Sequence, residues 1–296
     1  MTEKSETGEI RRLEQASDSE LKQAWQTCAR LTRRHAGNFY YAFIFMPVER
    51  RRAIQALYAF CRAGDDAVDE ETRDPAASLA RLRERLDLCY DDCYIDDLTL
   101  ALAHAIRNFE LERRHFEELL LGVEMDLNVK RYQSFDELRL YCYRVASTVG
   151  LLCLRIFGCD TEDSRKYAET LGIGMQLTNI LRDIREDLER GRIYIPLEDL
   201  RRFDIDEQAL FLPGSNHHLQ ELVKCMAARA EAFLDEADGC LKNEMKRCLY
   251  PAMIMAAIYR EILHKICTFN DLGLRVELTR TNKIKIAQQI LDGILR

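Results

Sequence analysis

The sequence predicts an all-α protein, and three observations carry that prediction. Glycine (13) and proline (5) are scarce among 296 residues, of which 47% are hydrophobic, so long helices on short turns have ample material for a core. Apolar residues recur at helical spacing along most of the chain. Only Arg192–Ile195 hints at the period of two that a strand would show. There is no repeat, low-complexity tract or linker, so residues 18–296 are expected to form one helical domain behind a flexible N-terminus, residues 1–17.

Leu21, Ala24, Trp25, Cys28 and Leu31 predict a first helix over Asp18–Arg34. His35-Ala36-Gly37-Asn38 breaks it, and the aromatic stretch Phe39–Phe45 follows. Pro47 sits where a first helical turn begins, and Val48–Asp69 reads as one long helix with Ile54, Leu57, Tyr58 and Cys61 turned inward. After a break at Thr72–Pro75, amphipathic helices fill residues 76–128, with joints near Asp91–Asp97 and Asn108. Ser134 and Glu137 form a capping-box signature for a helix through Phe157. Gly158-Cys159-Asp160 ends it, and Asp160 or Thr161 caps another that runs to about Arg190. Residues 198–216 read as irregular, with Phe211–Asn216 the clearest loop. His217–Leu241 and Glu244–Phe269 predict two more long helices, the second kinked or divided by Pro251, and Asn282–Leu295 closes the chain.

The net charge of −7 argues against nucleic acid as the partner, which calls for a basic face. Eleven cysteines, scattered and odd in number, sit mostly in apolar helical runs (Cys61, Cys142, Cys153, Cys267), where a free thiol acts as a small hydrophobe. A reduced, cytoplasmic setting is expected rather than a disulfide framework. Residues 1–15 are polar and lack the apolar stretch of a signal peptide. The most apolar runs, Val149–Cys159 and Pro251–Tyr259, are each too short to cross a bilayer. Lipid substrates would then be met at the protein surface or at the inner membrane edge.

Candidate chemistry concentrates in two acidic stretches. In QLTNILRDIREDLERGRIYIP (176–196), Asn179, Asp183 and Asp187 are spaced i, i+4, i+8 and rise along one side of a helix that breaks at Gly191. Three oxygen-bearing side chains on one face suit a hard cation such as Mg2+, with phosphate completing its shell. An exposed helix with ion pairs to Arg182, Arg185 and Arg190 explains the charges but not Gln176 and Asn179, which lie in the apolar run Leu171–Leu181 and need partners if buried. In RAGDDAVDE (62–70), Asp65 and Asp69 share a face and repel each other by a few tenths of a kcal/mol, roughly, unless a cation bridges them. Two such faces suggest one cavity with carboxylates on opposite walls.

Other clusters read more plainly. CYDDCYIDD (89–97) has more acids and a CxxxC spacing, but no second ligand pair lies nearby, so it reads as a solvated joint. His35, beside the Gly37-Asn38 break, is the histidine placed to face a cavity. The small residues of YCYRVASTVG (141–150) suit close helix packing through Ala146 and Gly150, or room for a long apolar tail.

Together these stretches resemble the squalene/phytoene synthase family, the head-to-head prenyl-diphosphate synthases. The resemblance runs from about His35 to Arg275 and is carried by HAGNFYYAF (35–43), ALYAFCRAGDDAVDE (56–70), YCYRVASTVG, QLTNILRDIREDLERGRIYIP and MAAIYREIL (255–263). It implies the class I isoprenoid synthase fold, a helical bundle around a central cavity. By position, it implies that Asp65 and Asp69, with Asn179, Asp183 and Asp187, bind Mg2+ (or Mn2+ in its place) that bridges the diphosphates of two prenyl substrates. Gln176 lies at the edge of the second set. Arg62, Arg182, Arg192 and Arg275 match basic positions around the diphosphates. Tyr58, Tyr141 and Tyr259 match cavity tyrosines, with Tyr141 assigned to catalysis. His35, Asn38 and Phe39 match an entrance segment in which family members often carry serine at the Asn38 position. Val145, Ala146 and Val149, with Met175 and Leu177, would form an apolar wall that keeps water from a carbocation.

The implied reaction joins two prenyl diphosphates with release of diphosphate. Glu70 and the MAAIYREIL ending look most like bacterial presqualene diphosphate synthases of hopanoid pathways, which join two farnesyl diphosphates. The alternatives are a phytoene synthase joining two geranylgeranyl diphosphates, a squalene or dehydrosqualene synthase, and a non-catalytic scaffold relative, which would be expected to have lost the acids. NADPH is not favoured, although reductases of the family also lack a glycine-rich dinucleotide motif. The expected partners are the prenyl diphosphates, peripheral membrane contact and downstream isoprenoid enzymes.

Overall fold

The structure, a computed structural model, describes residues 9–35, 37, 39–68, 74–211, 217–268 and 276–295. Its contacts gather into two compact units, residues 1–113 and 114–296.

In the first unit, α1 (Asp18–His35), α3 (Val48–Ala67) and α5 (Asp97–Phe109) pack on one another, and α4 (Pro75–Tyr90) lies against α3 and α5. The short α2 (Phe39–Phe43) precedes α3. Helix α5 is central because it is apolar nearly all round: Leu100, Ala101, Leu102, Ala103, Ala105 and Ile106 are all buried. Asp96 starts it by accepting from the Thr99 amide at 2.8 Å. The CYDDCYIDD stretch is thus a joint, as its sequence suggested. It also supplies β2 (Cys93–Tyr94), which pairs antiparallel with β1 (Arg11–Arg12). This is a correction to the flexible N-terminus, since pairing begins at Arg11. Helix α3 stops at Ala67, two residues short of the predicted end.

The second unit is built around α9 (Glu162–Arg182), on which α7 (Phe135–Cys142), α8 (Thr148–Phe157), α12 (His217–Cys240) and α13 (Lys246–Thr268) all pack. Thr161 caps α9 by accepting from the Ser164 amide. Helix α6 (Arg113–Asn128) and α14 (Arg280–Leu295) complete the long elements. The predicted helix through Phe157 is continuous from Phe135, but a π turn, Tyr143–Ser147, separates α7 from α8. Close approach explains its neighbours. A Cβ on Gly172 of α9 would lie 2.6 Å from the Ser147 backbone, and one on Gly122 of α6 would lie 2.7 Å from the Arg144 Cβ. The helix over 135–157 is 23 residues long and contains an 18-residue stretch of mean hydropathy 1.3, apolar enough to cross a membrane by length and composition, and half of that stretch is buried inside the protein.

Three further expectations are corrected. The helix that was to run from Thr161 to Arg190 breaks at Asp183, and α10 (Ile184–Glu189) carries on beyond it. Residues 198–216 are not irregular throughout, since α11 (Leu197–Arg202) and a 3-10 turn (Glu207–Phe211) occupy much of them. Pro251 lies in the second turn of α13 and does not divide it, since the helix runs unbroken from Lys246 to Thr268. Cys159 and Cys248 pair as a disulfide, with Cα atoms 6.0 Å apart, whereas nine other cysteines are free. The hint of a strand at Arg192–Ile195 survives as one parallel bridge, Arg131 to Ile193.

Candidate active site

In the second unit, α9 brings Gln176, Asn179 and Arg182 down one side to the break at Asp183. The two amides that the apolar run would otherwise strand satisfy each other, Asn179 Nδ2 donating to Gln176 Oε1 at 3.1 Å. Asn179 Oδ1 is left buried without a hydrogen-bond partner. Arg182 grips its neighbour with a bidentate pair, Nε to Asp183 Oδ1 at 2.8 Å and a terminal nitrogen to Oδ2 at 2.5 Å. Arg182 also bonds the buried Tyr259. The chain leaves α10 through Gly191, whose φ of +70° suits glycine, and the Arg192 amide returns to the Asp187 carbonyl at 2.8 Å.

Burial, and then the charge of Asp183, push the Asp187 carboxyl up to about 7, against the opposing pull of Arg192. An orphaned amide oxygen and a carboxylate whose ionisation burial opposes, one turn either side of Asp183, are groups that a bound cation would satisfy. These residues fit Mg2+. Among the described residues no three His, Cys, Asp or Glu side chains form a complete set by themselves. Phosphate oxygens would have to complete the shell.

The elevated Asp187 value has a measurable consequence. An unfolded aspartate ionises near pH 4, so the folded carboxylate is uphill once pH exceeds that value, and its cost is complete above about pH 7. Asp187→Asn is expected to stabilise the metal-free protein by roughly 2 kcal/mol at pH 8, or about 4–8 °C, with the gap shrinking towards pH 4. Melting curves in chelator at the two pH values check this.

Beside the acids stands a cluster that the sequence reading did not assemble. Tyr141 donates to Asp126 Oδ2 at 3.2 Å, and Tyr194 donates to Asp126 Oδ1 at 2.7 Å. The Tyr141 and Tyr194 rings are stacked 5.1 Å apart, and Tyr132 lies within 6 Å of both. Burial, then the negative charge of Asp126, hold the Tyr141 phenol far above its ordinary pKa, so it stays protonated. Burial likewise raises Asp126, against hydrogen bonds from Tyr194 and Tyr141 and the charge of Arg192. Tyr141 is therefore a fixed hydrogen-bond donor rather than a phenolate. Asp126 had a legible signal: it continues the buried stripe Phe116, Leu119, Val123 of α6 at helical spacing. Tyr132 lies beyond the end of α6, and Tyr194 sits within the quoted RGRIYIP run.

Val145 and Ala146 lie in the π turn and Val149 in the first turn of α8, all three half-buried, as is Met175. Leu177 is fully buried and belongs to the core. In the first unit, Tyr58, Arg62 and Asp65 share one side of α3. Tyr58 is half-buried and its phenol is pushed up to about 12 by burial and then by Asp65. Arg62 is ion-paired with Asp66, and Asp65 is exposed. His35 ends α1 and is exposed, and Phe39 begins α2. Asn38, Asp69, Glu70 and Arg275 lie outside the described residues.

The chain has the isoprenoid synthase fold, shared with the solved structures it is similar to. The squalene/phytoene synthase family model matches residues 32–281, and the chain belongs to that family. It is 35% identical over 260 residues to the 15-cis-phytoene synthase of Synechocystis sp., covering 83% of this chain and 77% of that one. To the chloroplastic phytoene synthase 1 of Arabidopsis thaliana it is 33% identical over 274 residues, 89% of this chain and 65% of that longer one. Its structure is similar to that of a dehydrosqualene synthase in complex with ligand, with a TM-score of 0.83 and 29% identity over 94% of this chain and 98% of that chain. The squalene synthase HpnC of Alicyclobacillus acidocaldarius gives a TM-score of 0.79 at 28% identity, over 86% of this chain and 97% of that one.

Proposed function

We propose that the protein joins two farnesyl diphosphates head to head, giving a presqualene-type cyclopropylcarbinyl diphosphate and releasing one diphosphate. The observation that carries the metal-dependent part is the buried, partnerless Asn179 Oδ1 one turn from Asp183, with Asp187 one turn beyond. Asn179, Asp183 and Asp187 would hold Mg2+ in the second unit, and Asp65, with Asp69, would do so in the first. Bound Mg2+ neutralises the departing diphosphate, otherwise a poor leaving group. Arg192 would add positive charge, and Arg182 and Arg62, paired here with Asp183 and Asp66, would turn theirs toward the diphosphates once these are bound. In this reading Asp126 takes the Tyr141 hydroxyl hydrogen and so fixes the ring, whose face stabilises positive charge. The half-buried Val145, Ala146 and Val149 shield the cation from water. Proton loss to the released diphosphate closes the cyclopropane.

The similarity to phytoene synthases carries a second reading, the same condensation on two geranylgeranyl diphosphates. Product analysis with Mg2+ and either substrate, with and without NADPH, separates them. Presqualene diphosphate from the C15 substrate, unchanged by NADPH, is expected. Squalene on adding NADPH would reassign the enzyme, phytoene from the C20 substrate would install the second reading, and no product from either would sink both.

A further inference from the structure

The first unit contains a cavity of about 420 Å³ between α1, α2 and the start of α3, and no residue assigned above to the condensation lines it. Its size falls in the range of small-molecule sites. Trp25, Tyr40 and Phe43 give it an aromatic lining, and Ile44 and Val48, 40% and 50% exposed, add an apolar lip at the surface. Four cations also line it: Lys22, Arg33, Arg51 and Arg52. Among the described lining residues there is no carboxylate.

Those cations stand apart from the arginines that the protein's ion pairs neutralise. The chain carries a net −7, and elsewhere Arg85, Arg144, Arg182, Arg229 and Arg260 are each neutralised by a neighbouring carboxylate. No described ion pair involves Lys22, Arg33 or Arg52, and Arg51 donates to a neutral acceptor, the Ile44 carbonyl, at 2.9 Å. A concave surface lined by one sign of charge focuses its field on whatever enters. Nearby, His104, whose ring meets Trp25 edge-on at 5.3 Å, is held below its ordinary pKa by burial first, then by Arg107 and Arg52, against Glu49.

We infer that this cavity is a second binding site, separate from the condensation machinery, for a phosphate-bearing amphiphile. The phosphate sits among Lys22, Arg33, Arg51 and Arg52, and the apolar chain leaves over Phe43, Ile44 and Val48. Guanidinium groups match phosphate oxygens in geometry as well as charge, and the adjoining apolar lip distinguishes an amphiphile from inorganic phosphate. The same chemistry is offered by an anionic phospholipid headgroup in a bilayer and by a free single-chain phosphate.

The test uses the full chain with two probes: vesicles of phosphatidylglycerol in phosphatidylcholine, read by flotation, and dodecyl phosphate below its micelle concentration, read by calorimetry. Lys22 and Arg33 are exposed, so Lys22→Gln/Arg33→Gln is expected to fold normally. It should weaken binding by about ten-fold and leave the condensation rate unchanged. Ile44→Ser/Val48→Ser keeps every charge and should weaken dodecyl phosphate without weakening inorganic phosphate. Loss of vesicle binding alone in the charge variant identifies a membrane headgroup, and loss of dodecyl phosphate alone identifies a free amphiphile. Either supports the site. Wild-type protein that ignores both probes, or variants that bind both as well as wild type, would overturn it. A charge variant that lost only condensation would overturn it too, by returning the cavity to the reaction.

Discussion

Asp183→Asn is expected to lower the condensation rate by about 10²–10³-fold while the protein remains helical and folded. The side chain sits at the break between α9 and α10, where Arg182 holds both its oxygens. Asparagine keeps the shape and one acceptor for Arg182, so packing around the break is preserved. What disappears is the negative charge that a hard cation requires, in a half-buried place where water is a poor substitute. The variant should also need more Mg2+ to reach its own maximum, a shift that a purely structural role would not produce. Steady-state rates over a Mg2+ titration, with circular dichroism as the control for folding, measure both effects. A wild-type rate would remove Asp183 from the metal site.

The largest stability effect is expected from Gly172→Ala. Alanine is normally the better helix former by about 1 kcal/mol, so propensity alone predicts stabilisation. The new methyl would lie 2.6 Å from the Ser147 amide nitrogen and Cα, which are backbone atoms and cannot rotate away. Ser147 is itself pinned, its hydroxyl donating to the Glu169 carbonyl at 2.7 Å. One of the two helices must therefore shift, and overpacking of this kind costs roughly 2–3 kcal/mol net, or about 5–10 °C of melting temperature in a unit this size. Because the π turn carries Val145 and Ala146, the rate should fall as well. Thermal melts in the presence and absence of Mg2+ test the claim, and a rise in melting temperature would show that propensity wins.

Much of this architecture could be read in the chain. The helices announced themselves through periodicity and caps: Thr161 and Ser134 are used as their sequence contexts suggest. The acids of the two stretches stood out because amides in an apolar run demand an explanation, and Gln176 with Asn179 supplies one. What stayed hidden depends on relations that no local pattern encodes. Asp126 is one acid in a charged helix until Tyr194, 68 residues later, is seen to bond it. The pairing of Cys159 with Cys248 spans 89 residues and could not be chosen from eleven candidates by spacing alone. The break at Asp183 leaves no mark either, because Ile184 and Leu188 keep a helical spacing straight through it.

The wider turn at Tyr143–Ser147 also sets the phase of the helix that contains it. An α-helix advances about 100° per residue, so one extra residue in a turn rotates everything downstream by about that angle. Upstream of it Tyr141 is aimed at Asp126, and downstream Gly150 is aimed at Ala168 of α9. Both aims hold only with the surplus residue in place. Deleting any one position between 143 and 147 would leave a sequence just as helical by composition, yet it would put the two halves out of step. Either the tyrosine would lose its carboxylate or the downstream half would lose its seat on α9. Length, more than residue identity, is what this segment must conserve.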